Sequence, residues 1–190
     1  MKNDWMISLK FLTLSTLLLG GAYTLAITGV AQLAMPGAAN GSLVVRGDRV
    51  VGSRLLAQNF QSERYFWPRP SAVDYGTVPS GASNLGPTSE RLQRLVLERR
   101  TQWTARHGGP APLDMVTTSG SGLDPHISLA SARAQIERVA RARKIKTSEI
   151  EHLVEVLGEG ASFLWGGTDR VNVLRLNLAL DASVGGESTP

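Results

Sequence analysis

Residues 11–35, FLTLSTLLLGGAYTLAITGVAQLAM, form an apolar run of 25 residues that contains no charge. Charged residues make up 19% of the chain, so a long uncharged run is unusual in it. As a helix rising about 1.5 Å per residue, the run would extend about 37 Å, which exceeds the roughly 30 Å hydrocarbon thickness of a bilayer. Pro36 follows directly and ends the helix, because proline cannot donate the backbone hydrogen bond that continuation requires. The sequence therefore predicts a transmembrane helix over residues 11–35.

The alternative for this segment is a cleaved signal peptide, with the small residues Gly37, Ala38 and Ala39 as its cleavage site. The apolar core of a signal peptide is typically about 7–15 residues long, which is much shorter than this run. The length therefore favours an uncleaved anchor. A mature protein lighter by about 39 residues would instead indicate cleavage.

The basic residues on either side of the anchor predict its orientation. Lys2 and Lys10 precede the apolar run, and the next basic residue is Arg46. Positive charges favour the cytoplasmic side of a membrane. We therefore expect residues 1–10 in the cytoplasm and residues 36–190 in the periplasm or outside the cell. The protein would then be a single-pass protein of the cell inner membrane.

A row of small and polar residues follows the predicted span at four-residue intervals. Its members are Thr16, Gly20, Thr24, Thr28 and Gln32. Lipid gives no reason to expose three threonines and a glutamine. Small and hydroxylated residues instead allow two helices to approach closely and to form hydrogen bonds of about 0.6 kcal/mol each. The alternative is that each hydroxyl bonds to a carbonyl of its own helix. The row predicts a partner helix in the membrane.

The composition of the chain bounds its chemistry. Residues 36–190 are long enough for one domain with a hydrophobic core. The formal net charge of the chain is +4, which is too small to indicate a dedicated nucleic-acid binder. The absence of cysteine excludes disulfides, thiolate catalysis and cysteine-ligated metal sites. The three histidines show no metal-ligand spacing. We expect neither a nucleic-acid partner nor a metal site.

Turn signals and apolar periodicity predict the elements of this domain. They are, in chain order, a β-hairpin within residues 40–60, an irregular loop over 65–87, helices over 88–107, 128–144 and 147–157, and a strand over 171–180. The strand is predicted from alternating leucines at 174, 176, 178 and 180, and the opposite parity of Val173 suggests a bulge. The predicted fold is an α+β (or α/β) single soluble domain attached to one N-terminal transmembrane helix.

Residues 117–128, TTSGSGLDPHIS, combine hydroxyls, glycines, one carboxylate and one imidazole just before a predicted helix. Three interpretations of this run remain open. Successive glycine amides could form an anion site, although the lysine of the phosphate-loop pattern is missing. Ser119 or Ser121 could act with His126 and Asp124 in hydrolysis, although triad members usually come from separated segments. The run could also be a structural turn whose glycines adopt positive φ.

Six basic residues cluster on and after the second predicted helix of the domain, at Arg133, Arg138, Arg141, Arg143, Lys144 and Lys146. They could bind an anionic polymer or anionic lipid. The alternative is a solvated helix face balanced by the acidic residues of the next helix. The small net charge favours this alternative.

Several short runs occur in an order that resembles one known family. The runs are Asn40-Gly41-Ser42-Leu43, Val51-Gly52-Ser53, Tyr65-Phe66, Arg69-Pro70-Ser71-Ala72, Ser83-Asn84-Leu85-Gly86-Pro87-Thr88, Ser119-Gly120-Ser121-Gly122-Leu123-Asp124-Pro125-His126-Ile127-Ser128 and Val171-Asn172-Val173-Leu174. The set closely resembles the KdpC family, the C chain of the bacterial potassium-transporting ATPase, over nearly the whole chain. Trp67-Pro68 and Gly81-Ala82 depart from the His-Gly and Gly-Gly pairs often seen in that family.

The resemblance implies a non-catalytic subunit of the Kdp complex. Its partners would be a channel-like potassium-binding subunit, a P-type ATPase subunit and a very small membrane peptide. The family is described as a catalytic chaperone that raises the ATP affinity of the ATPase subunit. The chain would hold no covalently bound cofactor and would meet ATP through the complex. By likeness to the signature motif of ABC transporters, the nucleotide contact would be formed by Ser119, Gly120, Ser121, Gly122 and Leu123.

The implied nucleotide contact conflicts with the predicted topology, because ATP is cytoplasmic while the domain is expected outside. A nucleotide effect exerted through assembly would reconcile the two. The alternative function is a membrane-anchored periplasmic hydrolase that uses Ser121 and His126. A third hypothesis is binding of anionic polymers through residues 133–146.

Overall fold

The computed structural model describes residues 4–160 and 167–183, which fall into two compact units divided between Leu43 and Val44. The first unit is a long helix with a short helical extension. The second is a mixed domain that contains the buried hydrophobic residues. Helices combined with short sheets, preceded by one long apolar helix, confirm the predicted fold class.

The helix of the first unit runs without interruption from Asp4 to Ala34 and is long and apolar enough to cross a membrane. It consists of α1 (Asp4–Ser15), a π-helical segment (Thr16–Tyr23) and α2 (Thr24–Ala34). The backbone turns at Met35, where φ is −147°, and a short helix α3 (Pro36–Ala39) follows. Pro36 occupies the first turn of α3, where its missing amide hydrogen costs nothing. Proline thus ends one helix and begins another.

The second unit opens with the predicted hairpin, in which β1 (Leu43–Arg46) and β2 (Arg49–Ser53) are hydrogen-bonded neighbours. Gly47, in the connecting turn, has a φ of +60°, which glycine adopts at little cost. Residues 54–89 contain no helix or strand, and this confirms the predicted irregular stretch.

The three predicted helices of the domain are confirmed at nearly their predicted bounds. They are α4 (Glu90–His107), α6 (Leu129–Arg143) and α7 (Thr147–Leu157), and a four-residue helix α5 (Leu113–Val116) lies between the first two. Gly108 ends α4 in the left-handed conformation, as glycine commonly does. Ser128 caps α6 by accepting from the amide of Ser131, whereas Ser89 precedes α4 without a side-chain cap.

The predicted strand over residues 171–180 is wrong beyond its first residues. Strand β4 covers only Arg170–Asn172 and pairs antiparallel with β3 (His126–Ser128), and a helix α8 (Val173–Ser183) follows at once. The side chain of Asn172 accepts from the amide of Arg175 at 3.1 Å, which is the geometry of a helix N-cap. The buried residues Val173, Leu176, Asn177 and Leu180 follow a helical spacing.

The hydrophobic core surrounds α6, which packs against α7, α4, β3 and β4. Five residues of α6 at helical spacing are buried: Ala132, Gln135, Ile136, Val139 and Ala140. Phe66 inserts into this core from the irregular stretch and is fully buried.

Candidate functional site

The loop Ser119–Leu123 is bound on two sides by the irregular stretch. The amide of Ser119 donates to the carbonyl of Pro70 at 3.0 Å, and the carbonyl of Leu123 accepts from the amide of Ala57 at 2.9 Å. Within the loop, the amide of Gly122 donates to the carbonyl of Ser119, and that of Leu123 donates to the hydroxyl of Ser121. Of the backbone amides in this loop, those of Gly120 and Ser121 alone have no acceptor among the described residues.

Gly122 is the residue of this loop that steric constraints fix most tightly. Its φ is +71°, and an added Cβ would lie 2.7 Å from both the carbonyl oxygen of Gly81 and a methyl group of Val73. Gly120 has open space around it. Ser119 is buried, and its hydroxyl has no partner among the described residues. The exposed part of the predicted nucleotide contact is therefore Gly120 and Ser121.

Asp124 and His126 belong to a network of charged side chains beside this loop. Asp124 accepts from Arg69 and from the backbone amide of His126, each at 3.0 Å. Burial raises the pKa of the Asp124 carboxyl, but these hydrogen bonds with His126 and Arg69 outweigh it and hold the pKa at about 2. The ring of His126 lies between Asp124 and Glu159, with N···O distances of 3.7 Å to each.

The residues of the alternative hydrolase are not assembled for catalysis. The hydroxyl of Ser121 accepts from the amide of Leu123, while His126 faces two carboxylates. Within residues 4–160 and 167–183, no hydrogen bond joins Ser121 to His126. A serine nucleophile is activated by such a bond to its base.

The basic cluster contains two buried arginines that the sequence did not distinguish from the exposed ones. Arg138 donates to His107 and Gln135 and to the carbonyls of Glu63 and Tyr65. Arg143 donates to the carbonyls of Arg64 and Leu180 and to Asp181. Burial lowers the pKa of Arg138 to about 10, so it stays charged at neutral pH.

Both arginines, together with the buried side-chain amides of Gln135 and Asn177, form hydrogen bonds to the backbone of residues 63–67. Gln135 exchanges two hydrogen bonds with the backbone of Trp67, and Asn177 exchanges two with that of Phe66. Helices α6 and α8 thereby supply side-chain hydrogen bonds to the backbone of a segment that belongs to no sheet. In the sequence, the signal for this contact is the polar Gln135 at helical spacing from the apolar residues Ala132, Ile136 and Val139.

An aromatic group lies where this segment meets α4. The ring of His107 stacks on Trp103 at a centroid distance of 3.8 Å and meets the edge of Trp67 at 5.6 Å. The guanidinium of Arg138 lies 3.9 Å from the centroid of Trp67, a cation–π contact. Because the Nε2 of His107 accepts from Arg138, its Nδ1 carries the hydrogen and donates to the carbonyl of Trp103. The aromatic group borders an open cleft of about 490 Å³.

In the apolar helix, the predicted row forms hydrogen bonds within its own unit. The hydroxyl of Thr24 donates to the carbonyls of Gly20 and Gly21, and that of Thr28 donates to the carbonyl of Thr24. The side chain of Gln32 exchanges hydrogen bonds with that of Asn40. A hydroxyl bonded to its own helix still presents lone pairs to a neighbour.

The π-helical segment changes the direction in which the row winds. In an α-helix a four-residue step exceeds a full turn by about 40°, so a four-residue row winds steadily around the axis. A π-helix holds more residues per turn, because its hydrogen bonds join residues five apart, and the same step there falls short of a turn. The segment Thr16–Tyr23 covers the first part of the row. The winding therefore reverses midway, and the row stays on one side of the helix.

Comparison with known proteins extends over both units. The family model for KdpC, described as "K+-transporting ATPase, c chain", matches residues 5–182. A potassium-transporting ATPase KdpC subunit of Cereibacter sphaeroides is 51% identical over 88% of this chain and 91% of its own length. The corresponding subunits of Serratia proteamaculans and Mycobacterium bovis are 48% and 43% identical, over 92% and 95% of this chain and 96% and 99% of their own lengths. A match that includes the apolar helix, the loop Ser119–Leu123 and α8 shows that the chain belongs to the KdpC family, the c chain of the K+-transporting ATPase.

Proposed function

We propose that this chain is a non-catalytic subunit that assembles and stabilises an ATP-driven importer of potassium. Its partners are a channel-like potassium-binding subunit, a P-type ATPase subunit and a very small membrane peptide. The observation that carries the proposal is the family match over residues 5–182, which spans both units. One apolar helix cannot enclose an ion path, so the transport path belongs to the partners.

Deletion of the chain tests this role. Cells without it are expected to lose high-affinity potassium uptake and growth at low potassium, and the remaining subunits should no longer copurify as a stable complex. Normal uptake by an intact complex of the remaining subunits would contradict the proposal.

The proposed orientation places residues 1–10 in the cytoplasm and the domain outside, at the inner membrane. Lys2 and Lys10 before the helix, with no basic residue until Arg46, support it. The test is protease accessibility. We expect digestion of the domain in spheroplasts and its protection in inverted vesicles. The reverse pattern would place the domain in the cytoplasm.

The row Thr16, Gly20, Thr24, Thr28 and Gln32 is proposed as the face that contacts a partner helix in the membrane. Its confinement to one side of the helix supports this role. A photoreactive residue in place of Thr28 should cross-link to another subunit, whereas one in place of Leu25, on a different face, should cross-link mainly to lipid. Capture of lipid alone from position 28 would contradict the proposal.

The proposed effect on nucleotide is an increase in the ATP affinity of the ATPase subunit, exerted through assembly, because a domain outside the membrane does not meet cytoplasmic ATP. The alternative is a direct contact through Ser119, Gly120, Ser121, Gly122 and Leu123, which requires the domain in the cytoplasm. The exposure of Gly120 and Ser121 supports contact at these two residues. A direct contact predicts that Ser121→Ala and Gly120→Ala weaken ATP binding by the whole complex, whereas the proposed orientation predicts no change. An unchanged ATP affinity in both variants would mean that any effect on ATP is exerted through assembly and not through this loop.

A further inference from the structure

The cleft of about 490 Å³ lies between one face of α4 and the irregular stretch. From α4 it is lined by Arg99, Gln102, Trp103 and Arg106, whose spacing places them on one side of the helix. The opposite wall includes Trp67 and two prolines, Pro68 and Pro70. Gln102 and Arg106 are exposed, so the cleft is open to solvent.

The charge of the cleft has one sign. Among the residues that line it are two arginines and no aspartate or glutamate. Arg99 donates through one nitrogen to the carbonyl of Val116 and the hydroxyl of Thr118, which fixes its guanidinium in place. Neither Arg99 nor Arg106 forms an ion pair with any residue in 4–160 or 167–183. The cleft therefore offers two cations that form no ion pair within these residues, although the charge of Glu98, which is outside the lining, acts on Arg99.

Trp103 contributes part of the apolar wall of the cleft. Trp103 is only 6% exposed, and its indole nitrogen is buried with no hydrogen-bond partner among the described residues. The rings of Trp67 and Trp103 and the two prolines supply apolar surface beside the cations. Walls of tryptophan and proline are suited to an extended peptide, and arginines are suited to its carboxylates.

We propose that this cleft is a docking site for an extended acidic segment of another subunit, with a carboxylate of that segment bound by Arg99 and Arg106. The inference rests on the proposed role as a subunit of a complex, because that role supplies a protein partner. Charge complementarity selects the occupant. A segment with one or more carboxylates beside an apolar or aromatic residue would fill both parts of the cleft.

The test is site-specific photocross-linking in cells with the complete complex. A benzoylphenylalanine replaces Gln102 in the cleft, and a control chain carries it in place of Leu97, which is 67% exposed on another side of α4. Only chains that restore potassium uptake are compared. We expect an adduct from position 102 that maps by mass spectrometry to an acidic segment of another subunit, and a much weaker adduct from position 97.

Two charge reversals decide whether the arginines select the partner. Arg106→Glu should reduce the adduct about tenfold, because a like charge would face the carboxylate. Arg100→Glu, which reverses an exposed charge of the same helix outside the cleft, should leave it unchanged. An adduct with lipid or with a second copy of this chain, an adduct that Arg106→Glu does not reduce, or no adduct above the control would each overturn the docking site. Because uptake is scored separately, any of these results with normal uptake leaves the proposed subunit role standing.

Discussion

Arg138 carries a positive charge into the interior of the domain, with a side chain only 4% exposed. Four hydrogen bonds and the ring of Trp67 surround its guanidinium, and its carboxylate partner Glu63, at 3.6 Å, is half exposed. The charge is satisfied mainly by neutral acceptors, two of them backbone carbonyls of the segment it holds. Its importance is therefore structural, and its loss would leave those acceptors unpaired.

Arg138→Met is expected to lower the free energy of unfolding by about 3–5 kcal/mol, because buried acceptors lose their donor. The matched control is Arg141→Met in the same helix, whose side chain is 71% exposed and pairs with Glu137. The control should change the free energy of unfolding by no more than about 0.5 kcal/mol. Urea unfolding of the full chain in detergent, followed by near-UV circular dichroism, measures both. Equal effects of the two variants would contradict this account.

Gly122→Ala tests the steric account of the loop. The added methyl group would meet the carbonyl of Gly81 and Val73, and φ is positive, so we expect destabilisation by about 1–3 kcal/mol. Gly120→Ala, with open space at the Cβ position, should cost less than about 1 kcal/mol in the same unfolding experiment. The pair also separates folding from ATP affinity, since only Gly120 is exposed. Equal stability of the two variants would contradict the steric account.

His107 predicts a dependence of stability on pH. Burial lowers its pKa, and the nearby Arg138 and Arg106 act in the same direction against the hydrogen bond to Trp103 and the charge of Glu63. The unfolded chain therefore binds a proton at higher pH than the folded chain. The stabilisation is complete above about pH 6.5, the ordinary value, and is lost as the pH falls toward the lowered folded value.

The measurement is the free energy of unfolding between neutral and mildly acidic pH. His107→Gln, whose carbonyl can still accept from Arg138, should flatten the decline on acidification. His152→Gln, at an exposed position of α7, should keep the slope of the original protein. An unchanged slope in His107→Gln would show that other groups cause the acid sensitivity.

Helix α8 can be tested as an element, because a strand and a helix over the same residues would bury different leucine side chains. In a strand, Leu176 and Leu178 would share one face. In the helix, Leu176 is fully buried and Leu178 only partly. Leu176→Ala is expected to cost about 2–5 kcal/mol and Leu178→Ala about 1 kcal/mol in chemical unfolding of the full chain. Similar costs would favour the strand.

The helices of the domain were predictable because their signals are local. Gly108 and Gly158 mark helix ends, and the apolar residues of α7 repeat at helical spacing from Ile150. The start of α8 was missed because Asn172 serves both as the last residue of β4 and as a helix cap. Leucine is compatible with both a helix and a strand, so the capping residue determines that a helix forms here. The sequence does contain the cap residue Asn172, but the alternating leucines that follow it favour a strand.

The cleft and the buried arginines could not be predicted in the same way, because they depend on contacts between distant segments. Arg138 and Tyr65 are 73 positions apart, and Asn177 and Phe66 are 111 apart. Sequence spacing places Arg138 on a helix but does not say whether its face is buried. The local character of the loop at Ser119–Leu123 was predictable, whereas its attachment to Pro70 and Ala57 was not.

At the scale of the whole molecule, the two units differ in how they are stabilised. Every buried hydrophobic residue of the described chain lies between Ala57 and Leu180, and no residue of the apolar helix is buried. The buried hydrophobic core therefore consists of residues of the domain alone, and the apolar residues of the helix are left exposed within the chain. The stability of the domain should not depend on the anchor.

A chain that begins at residue 41, and so keeps the hairpin from Leu43, should fold and remain soluble without detergent. We expect one cooperative unfolding transition, with a midpoint in urea within experimental error of that of the full chain in detergent, because the same buried contacts break in both. The same truncation should abolish membrane association and high-affinity potassium uptake, since the apolar helix and its proposed partner face are lost. Aggregation, or a clearly lower midpoint, would mean that the anchor contributes to the fold of the domain. Retained uptake would mean that the outer domain alone carries the function.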